Sequence, residues 1–320
     1  PSVRRLYVQG KEVNGAGINA SFAVQQDIDG RATDIALGWA IGIGSPYVFR
    51  TTLESEYRSD IVGERSILLG GAHGIVEALY RRFIEVGDDP ERAFIRACEC
   101  LTGPLARKIS KEGMKAVYEG FEGDDKRTFE DAYCATYPSA HAMVDEIYDE
   151  VSSGNEIRSV VLAGERLKRE EMPSIDGGRM WQVGRDVRAK REELDVQIDP
   201  LTAGVFVGTM TAQVDLLAER GHPWSEIVNE SIIEAVDSLI PYMHARGVAY
   251  MVDNCSTTAR LGSRKWGPRF EAQLNQVVLP MLDGDGARDE AMLERFRSHP
   301  IHDVLATGGQ LRPPVDISVA

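Results

Sequence analysis

Two pairs of acidic residues have the spacing best suited to chemistry. Asp60 and Glu64 stand four apart in RSDIVGERSILLGG, and Glu230 and Glu234 stand four apart in SEIVNESIIEAVDSLIP. On a helix, residues four apart share a face, with their β-carbons about 5–6 Å apart. Like charges held there destabilise the helix unless a cation or a proton compensates. Asp60 and Glu64 immediately precede an apolar stripe, and Glu230 and Glu234 lie among Ile227, Ile232, Ile233, Val236 and Leu239. One side of each pair should therefore meet the protein interior. Carboxylates without amine neighbours are hard oxygen ligands, suited to Mg²⁺ or Mn²⁺. Spacing alone does not select that reading. The chain has 50 Asp and Glu, and a single acidic pair is more often a solvated helix face. Asp60 and Glu64 also suit the first turn of a helix. Glu226 extends the second series and reads as solvent-facing charge.

The elements that must position these pairs are mostly helical. Residues 3–8 and 20–26 read as short strands, with Gly10, Gly15 and Gly17 punctuating the link between them. Two strands are too few for an independent sheet, so they imply partner strands from elsewhere. Asp29 suits the cap of a helix through Ala32, Ile35, Ala36 and Trp39. One long helix is expected over 53–86, or at least from Asp60, closed by Gly87. Pro90 opens the next helix. Further helices fit 105–118, 126–134 and 138–152. Residues 166–200 read as a charged, irregular connection with one or two short helical pieces. An apolar helix over 202–220 and another from Pro223 and Trp224 to Leu239 follow. The tail over 308–320 reads as extended. The stretches IEVGDDPERAFIRACECL and LAERGHPWSEIVNESIIEAV share a break between amphipathic helices, an echo that suggests duplication. Setting Gly87 on Gly221 places Arg96 and Cys100 opposite Glu230 and Glu234, and Leu194 and Ile198 opposite Asp60 and Glu64. Each half then keeps one acidic pair and lacks the other.

The bulk properties narrow the class. The chain has 320 residues, is 43% hydrophobic and 27% charged, and has a formal net charge of −14. Such a composition folds, and its charge disfavours nucleic acid and anionic membranes as partners. No unbroken apolar run of 18 residues marks a membrane helix, and the first residues do not read as a signal peptide or basic leader. Cys98, Cys100, Cys134 and Cys255 lack metal-ligand spacing and read as reduced, buried thiols. The six histidines show no clustered spacing, and structural or surface roles are expected of them. Arg246, Arg260, Arg264 and Lys265 read as salt-bridging or phosphate-type contacts at a domain boundary. The chain opens at Pro1 without Met, which reads as a processed or partial product.

Six stretches carry a resemblance to a known family: RRLYVQGKEVNGAGINASFAV, DGRATDIALGW, SDIVGERSILLG, SGNEIRSVVLAG, NESIIEAVDS and ARGVAYMVDNCSTTARLGSRKW. Together they span nearly the whole chain. The sequence resembles the C-terminal region of the ketol-acid reductoisomerases (acetohydroxy-acid isomeroreductases), in their long, plant-like class. The resemblance implies a mainly α fold: a duplicated, knotted helical domain like the C-terminal domain of 6-phosphogluconate dehydrogenase, with two leftover β-strands. It implies residues 1–28 as the end of a nucleotide-binding domain, 29–165 as a first helical repeat, and 166–320 as a connection and second repeat. The implied activity is Mg²⁺-dependent alkyl migration in 2-acetolactate or 2-aceto-2-hydroxybutyrate, then NADPH-dependent reduction to the dihydroxy acid, in branched-chain amino-acid biosynthesis. Asp60 matches the aspartate bridging two Mg²⁺ ions, Glu64 the ligand one turn on, and Glu230 a partner reaching the second metal directly or through water. Glu234 matches the glutamate beside the substrate that handles protons, and belongs with the same metal-site group. Ser256 matches a serine bonded to the substrate carboxylate. Leu68 and Leu239 match apolar residues against the migrating group. Read without the resemblance, Ser256 would be a cap or turn residue, and the two leucines core.

The sequence holds no G-x-G-x-x-G after a strand; GGAHG at 70–74 and GAG at 15–17 have the wrong context. The resemblance therefore implies that the NADPH domain and its catalytic lysine lie outside this chain, in the same protein or as a separate partner. It further implies a homodimer or higher oligomer, and a plastid location for a plant or algal protein or a cytoplasmic one otherwise. The alternative is a metal-free helical scaffold or assembly module that keeps the fold without the chemistry.

Overall fold

A computed structural model describes residues 19–311 of the chain, apart from 44, 46 and 285. The strand expected over 3–8 lies outside the described residues. The one expected over 20–26 is shorter, β1 (Ala20–Phe22), and pairs in parallel with β2 (Val48–Arg50), which the sequence pattern did not suggest. Between them runs α1 (Ala32–Gly42). Its start is held by Asp27, which accepts from the Ala32 amide at 3.3 Å, while Asp29 accepts from Arg31 at 3.2 Å.

The helix expected over 53–86 is two helices. Thr52 caps α2 (Leu53–Arg65) by accepting from the Ser55 amide. Ser66 then leaves the helical region, with φ −106° and ψ −114°, and its hydroxyl turns back to the Val62 carbonyl at 2.7 Å. The chain restarts as α3 (Gly70–Glu85). Gly87 closes α3, as expected, at φ 106°. Asp89 caps α4 (Pro90–Phe94), which runs into two π-helical turns, Ile95–Glu99 and Leu101–Leu105, and then α5 (Ala106–Glu112). Gly113, at φ 88°, splits the expected 105–118 helix and starts α6 (Met114–Glu119). The two helices expected over 126–152 are one, α7 (Gly123–Ser152), with Pro138 inside it. A proline there removes one helical bond, and burial of the helix on both sides of that point outweighs the loss.

Next come α8 (Asn155–Leu167), which the sequence pattern did not mark, α9 (Arg179–Ala189), a 3₁₀ turn Arg191–Glu193, and α10 (Pro200–Glu219). By length and composition α10 is long and apolar enough to cross a membrane, although Gln213 and Asp215 interrupt its apolar run, and 83% of that window is buried in the fold. It is a core helix. The single helix expected up to Leu239 is α11 (Trp224–Val228) followed by π turns Asn229–Ile233 and Ala235–Leu239. Then follow α12 (Ile240–Arg246), α13 (Val248–Asn254), α14 (Thr257–Gln273), a π turn Leu274–Val278, α15 (Leu279–Leu282), α16 (Glu290–Arg297) and α17 (Ile301–Leu311). The tail is therefore helical as far as Leu311, and 312–320 lie outside the described residues.

The echo in the sequence is a repeat in the structure. Gly221 follows Gly87 by 134 residues (221 − 87), and both have positive φ. At the same offset the π turns from Ile95 and Leu101 recur from Asn229 and Ala235, α5 recurs as α12, and Gly113 recurs as Gly247. The packing repeats too, but crosswise. A β-carbon on Gly74 of α3 would lie 2.3 Å from the Gly267 carbonyl oxygen of α14, and one on Gly208 of α10 would lie 3.2 Å from the Tyr133 carbonyl oxygen of α7. α3 of the first half thus lies on α14 of the second, and α10 of the second on α7 of the first, with main chain nearly touching main chain.

Gly74→Ala forces a backbone carbonyl to move and should destabilise the protein by about 1–3 kcal/mol. Gly164 in α8 has open space around it, so Gly164→Ala should leave stability unchanged or raise it by up to about 1 kcal/mol. Urea melts of the two variants check the contrast.

Candidate metal centre

Three of the four acidic residues converge. Oxygens of Asp60, on α2, and of Glu230 and Glu234, on the second-half π turns and their junction, lie within 4.8 Å of one another. Glu64 points elsewhere: its Oε2 meets Arg65 Nη1 at 2.7 Å. It remains close enough for Asp60 and Glu234 to raise its pKa.

Two contacts bring α2 against the π turn. Gly63 sits between the two acids of the first pair, and a β-carbon there would lie 3.1 Å from the Glu230 carbonyl oxygen. Only a glycine lets the helix approach that closely. Gln213, fully buried in the apolar run of α10, receives the Ser66 hydroxyl and the Ile67 amide on Oε1. Its Nε2 donates to the Glu230 carbonyl at 3.3 Å and Ser231 Oγ at 3.1 Å. Sequence reasoning passed over Gln213, although a lone amide in an apolar helix is a signal that a buried polar partner exists.

The electrostatics are those of crowded, buried like charges. Burial first, then Glu234 and Asp60, hold the Glu230 carboxyl well above its ordinary range. Burial and Asp60 raise Glu234 to about 7, burial and Asp60 raise Glu64 to about 7, and burial raises Asp60. Glu56, one turn before Asp60, is also raised, by burial and then by Asp60 and Glu226; the i−4 spacing that exposes it was there to be read. Asn229 Nδ2 donates to Glu230 Oε1 at 2.9 Å, while Glu230 Oε2 is buried with no hydrogen-bond partner. An all-carboxylate donor set with an orphaned buried oxygen fits a hard divalent cation.

Glu226 corrects the expectation of solvent-facing charge: it is fully buried. Burial would raise its carboxyl, but hydrogen bonds from His222, Thr51, Ser55 and Ser59 prevail and bring it to about 2. Ser256 is the exposed N-cap of α14, with Oγ accepting from the Ala259 amide at 3.1 Å. Its neighbour Cys255 is raised by burial and by Glu64, Glu234 and Asp60, so the start of α14 lies beside the carboxylates. Leu68 is fully buried and Leu239 is 8% exposed.

At the equivalent place in the first half an arginine replaces one acid, and neutral residues, Cys100, Leu194 and Ile198, stand opposite the other three. Arg96, which matches Glu230 in register, bonds Asp88 at 2.6 Å and Asp199 at 2.8 Å. A guanidinium there does what a cation would have to do in the second half. Within the late basic stretch, Arg264 pairs with Asp253, and Lys265 with Glu150 and Glu156, while Arg260 Nε is buried without a hydrogen-bond partner. All four cysteines are free, with Cys255 only partly buried.

A mainly helical chain with a cluster of acids that could hold a cation between two repeated halves defines the class, and comparison supplies the family. The description "Ketol-acid reductoisomerase, C-terminal domain" matches residues 53–193 and 201–285. The chain belongs to the ketol-acid reductoisomerase family. The chloroplastic ketol-acid reductoisomerase of Spinacia oleracea is 55% identical over 326 residues, covering 100% of this chain and 55% of that protein. That of Pisum sativum is 53% identical, covering 100% of this chain and 56% of that protein. The mitochondrial ketol-acid reductoisomerase of Saccharomyces cerevisiae is 34% identical over 197 residues, 60% of this chain and 49% of that protein. The chain thus spans about half the length of these curated relatives.

The raised acids set a pH dependence. A folded-state pKa above the unfolded value means that the fold is favoured while the group is protonated, and that stability is lost as pH rises through about 7. In EDTA, Glu234→Gln should match the parent near pH 5 and melt higher by about 2 °C or more at pH 8. Thermal unfolding across that range checks the sign.

Proposed function

We propose that this chain carries the metal and substrate site of a ketol-acid reductoisomerase, acting on 2-acetolactate or 2-aceto-2-hydroxybutyrate in branched-chain amino-acid biosynthesis. The carrying observation is the convergence of Asp60, Glu230 and Glu234 around one point, beside the orphaned oxygen of Glu230. Asp60, Glu64, Glu230 and Glu234 would hold two Mg²⁺ ions, with Glu64 turning from Arg65. Bound Mg²⁺ supplies Lewis acidity, polarising the ketone and stabilising developing negative charge. Glu234, with a pKa brought to about 7, suits a group that takes and returns a proton near neutral pH. Ser256, at the open start of α14, binds the substrate carboxylate. Leu68 and Leu239 supply the apolar wall beside the migrating alkyl group, which separates methyl from ethyl only weakly.

Hydride delivery is assigned to no residue of this chain, since no dinucleotide fingerprint is present in it. We assign NADPH to the part of the relatives that this chain does not span. Residues 1–28 would belong to the end of that domain, 29–165 to the first helical repeat, and 166–320 to the connection and the second. A plastid location and a dimeric or larger assembly follow from the same reading, supported by the chloroplastic names of the spinach and pea relatives.

Calorimetry tests the site. Mn²⁺ or Mg²⁺ should bind the parent, and Asp60→Asn should weaken that binding by about tenfold or more. Binding of 2-acetolactate should appear only with the metal present. Unchanged metal affinity in Asp60→Asn would overturn the assignment.

A further inference from the structure

Beside the carboxylate cluster runs a second buried polar network that the acidic site does not use. Glu226 stands one helical turn before Glu230 and has no exposed surface. Its Oε1 receives Ser55 Oγ at 2.8 Å and Ser59 Oγ at 2.8 Å, and meets His222 Nδ1 at 2.5 Å. Its Oε2 receives the Thr51 hydroxyl. Behind it, His222 Nε2 meets the Tyr148 hydroxyl at 3.0 Å. With Nδ1–H donated to Glu226, Nε2 is free to accept from Tyr148. One carboxylate of the second half therefore gathers three hydroxyls from α2 and the residue leading into it, and is itself braced by an imidazole bonded to α7.

The geometry fixes what this network controls. Ser59 is the residue before Asp60, and Ser55 lies one turn earlier on the same helix. Glu230 follows Glu226 by one turn. The Glu226–serine bonds thus lie one turn away from the carboxylate cluster, across the same pair of elements. Further along, the Gly63–Glu230 contact and Gln213 join those elements again. Three carboxylates between α2 and the π turn push the two apart wherever they are ionised and no cation balances them. The bonds to Glu226 oppose that push, because breaking them leaves a fully buried carboxylate with His222 as its one remaining hydrogen-bond partner, which costs far more than losing an exposed bond.

We propose that Glu226 is a positioning residue that locks α2 to α11, the turn that runs straight into the second-half π turn, and so sets the span of the Asp60, Glu230 and Glu234 oxygens. The proposal rests on reading that cluster as a cation site, and it adds a residue that does not itself touch the ion.

The 320-residue chain is compared with Glu226→Gln and Ser59→Ala, with two readouts. In EDTA, amide hydrogen exchange over residues 55–62 should be about tenfold faster in both variants, with α7 and α10 unchanged. In titrations with Mn²⁺ alone, both variants should bind about tenfold more weakly, with an altered Mn²⁺ resonance spectrum, as for loss of an outer-shell partner. Exchange within about twofold of the parent at 55–62, or faster exchange throughout the molecule, overturns the proposal. So does an unchanged Mn²⁺ affinity in folded variants. If the parent itself binds no Mn²⁺, the cation reading fails, and the exchange result alone decides whether Glu226 locks α2.

Discussion

The structure depends on main chain meeting main chain between its halves. Where α3 crosses α14 and α10 crosses α7, glycines remove the side chain that would hold the helices apart. Approach at that distance gains dispersion along the whole crossing and admits few alternatives. It also makes the halves inseparable, because each supplies the helix that covers the other. A site assembled from α2 of one half and the π turns of the other is possible only on such a frame. Neither half alone presents more than one row of acids.

That frame supports an arrangement that is unfavourable in isolation. Buried carboxylates of like sign raise one another's proton affinity, and the fold tolerates them through protonation, through Arg65 beside Glu64, or through an added cation. Stability is given up locally for a preformed set of oxygens. The surrounding residues show where it is regained: Gln213 joining the break after α2 to the Glu230 main chain, and Glu226 satisfying three hydroxyls at once. Polar groups so placed are worth most when every one is satisfied.

Much of this was legible in the sequence, and the misses have physical causes. The acidic rows were visible because helix periodicity converts spacing into a shared face, and the echo between the halves was visible because Gly87 and Gly221 punctuate both. The break at residues 66–69 was hidden: Ile67, Leu68 and Leu69 continue an apolar pattern, and nothing in it says that Ser66 leaves the helix. Pro138 misled in the opposite direction, since local propensity argues for a stop that packing overrides. Glu226 was misread because a carboxylate's burial depends on partners far away in sequence, here Thr51, Ser55 and Ser59. The π turns have no side-chain signature at all. Of the strand pair, β1 was read from the sequence and β2, equally three residues long, was not.

Arg96 in the place of Glu230 divides the repeat into a self-sufficient place and a dependent one. In the first half Arg96 neutralises Asp88 and Asp199 from within the chain, so that place is balanced in any medium. In the second half the equivalent place is balanced by protonation or by a cation taken up from solution, with Arg65 bonding only Glu64 among the four acids. The ionic composition around the protein is therefore written into one half of the fold and not the other. When divalent ions are scarce, the loosening should begin at the seam beside α2 while its counterpart stays shut. The repeat thus holds a place of constant charge next to one that answers to its surroundings.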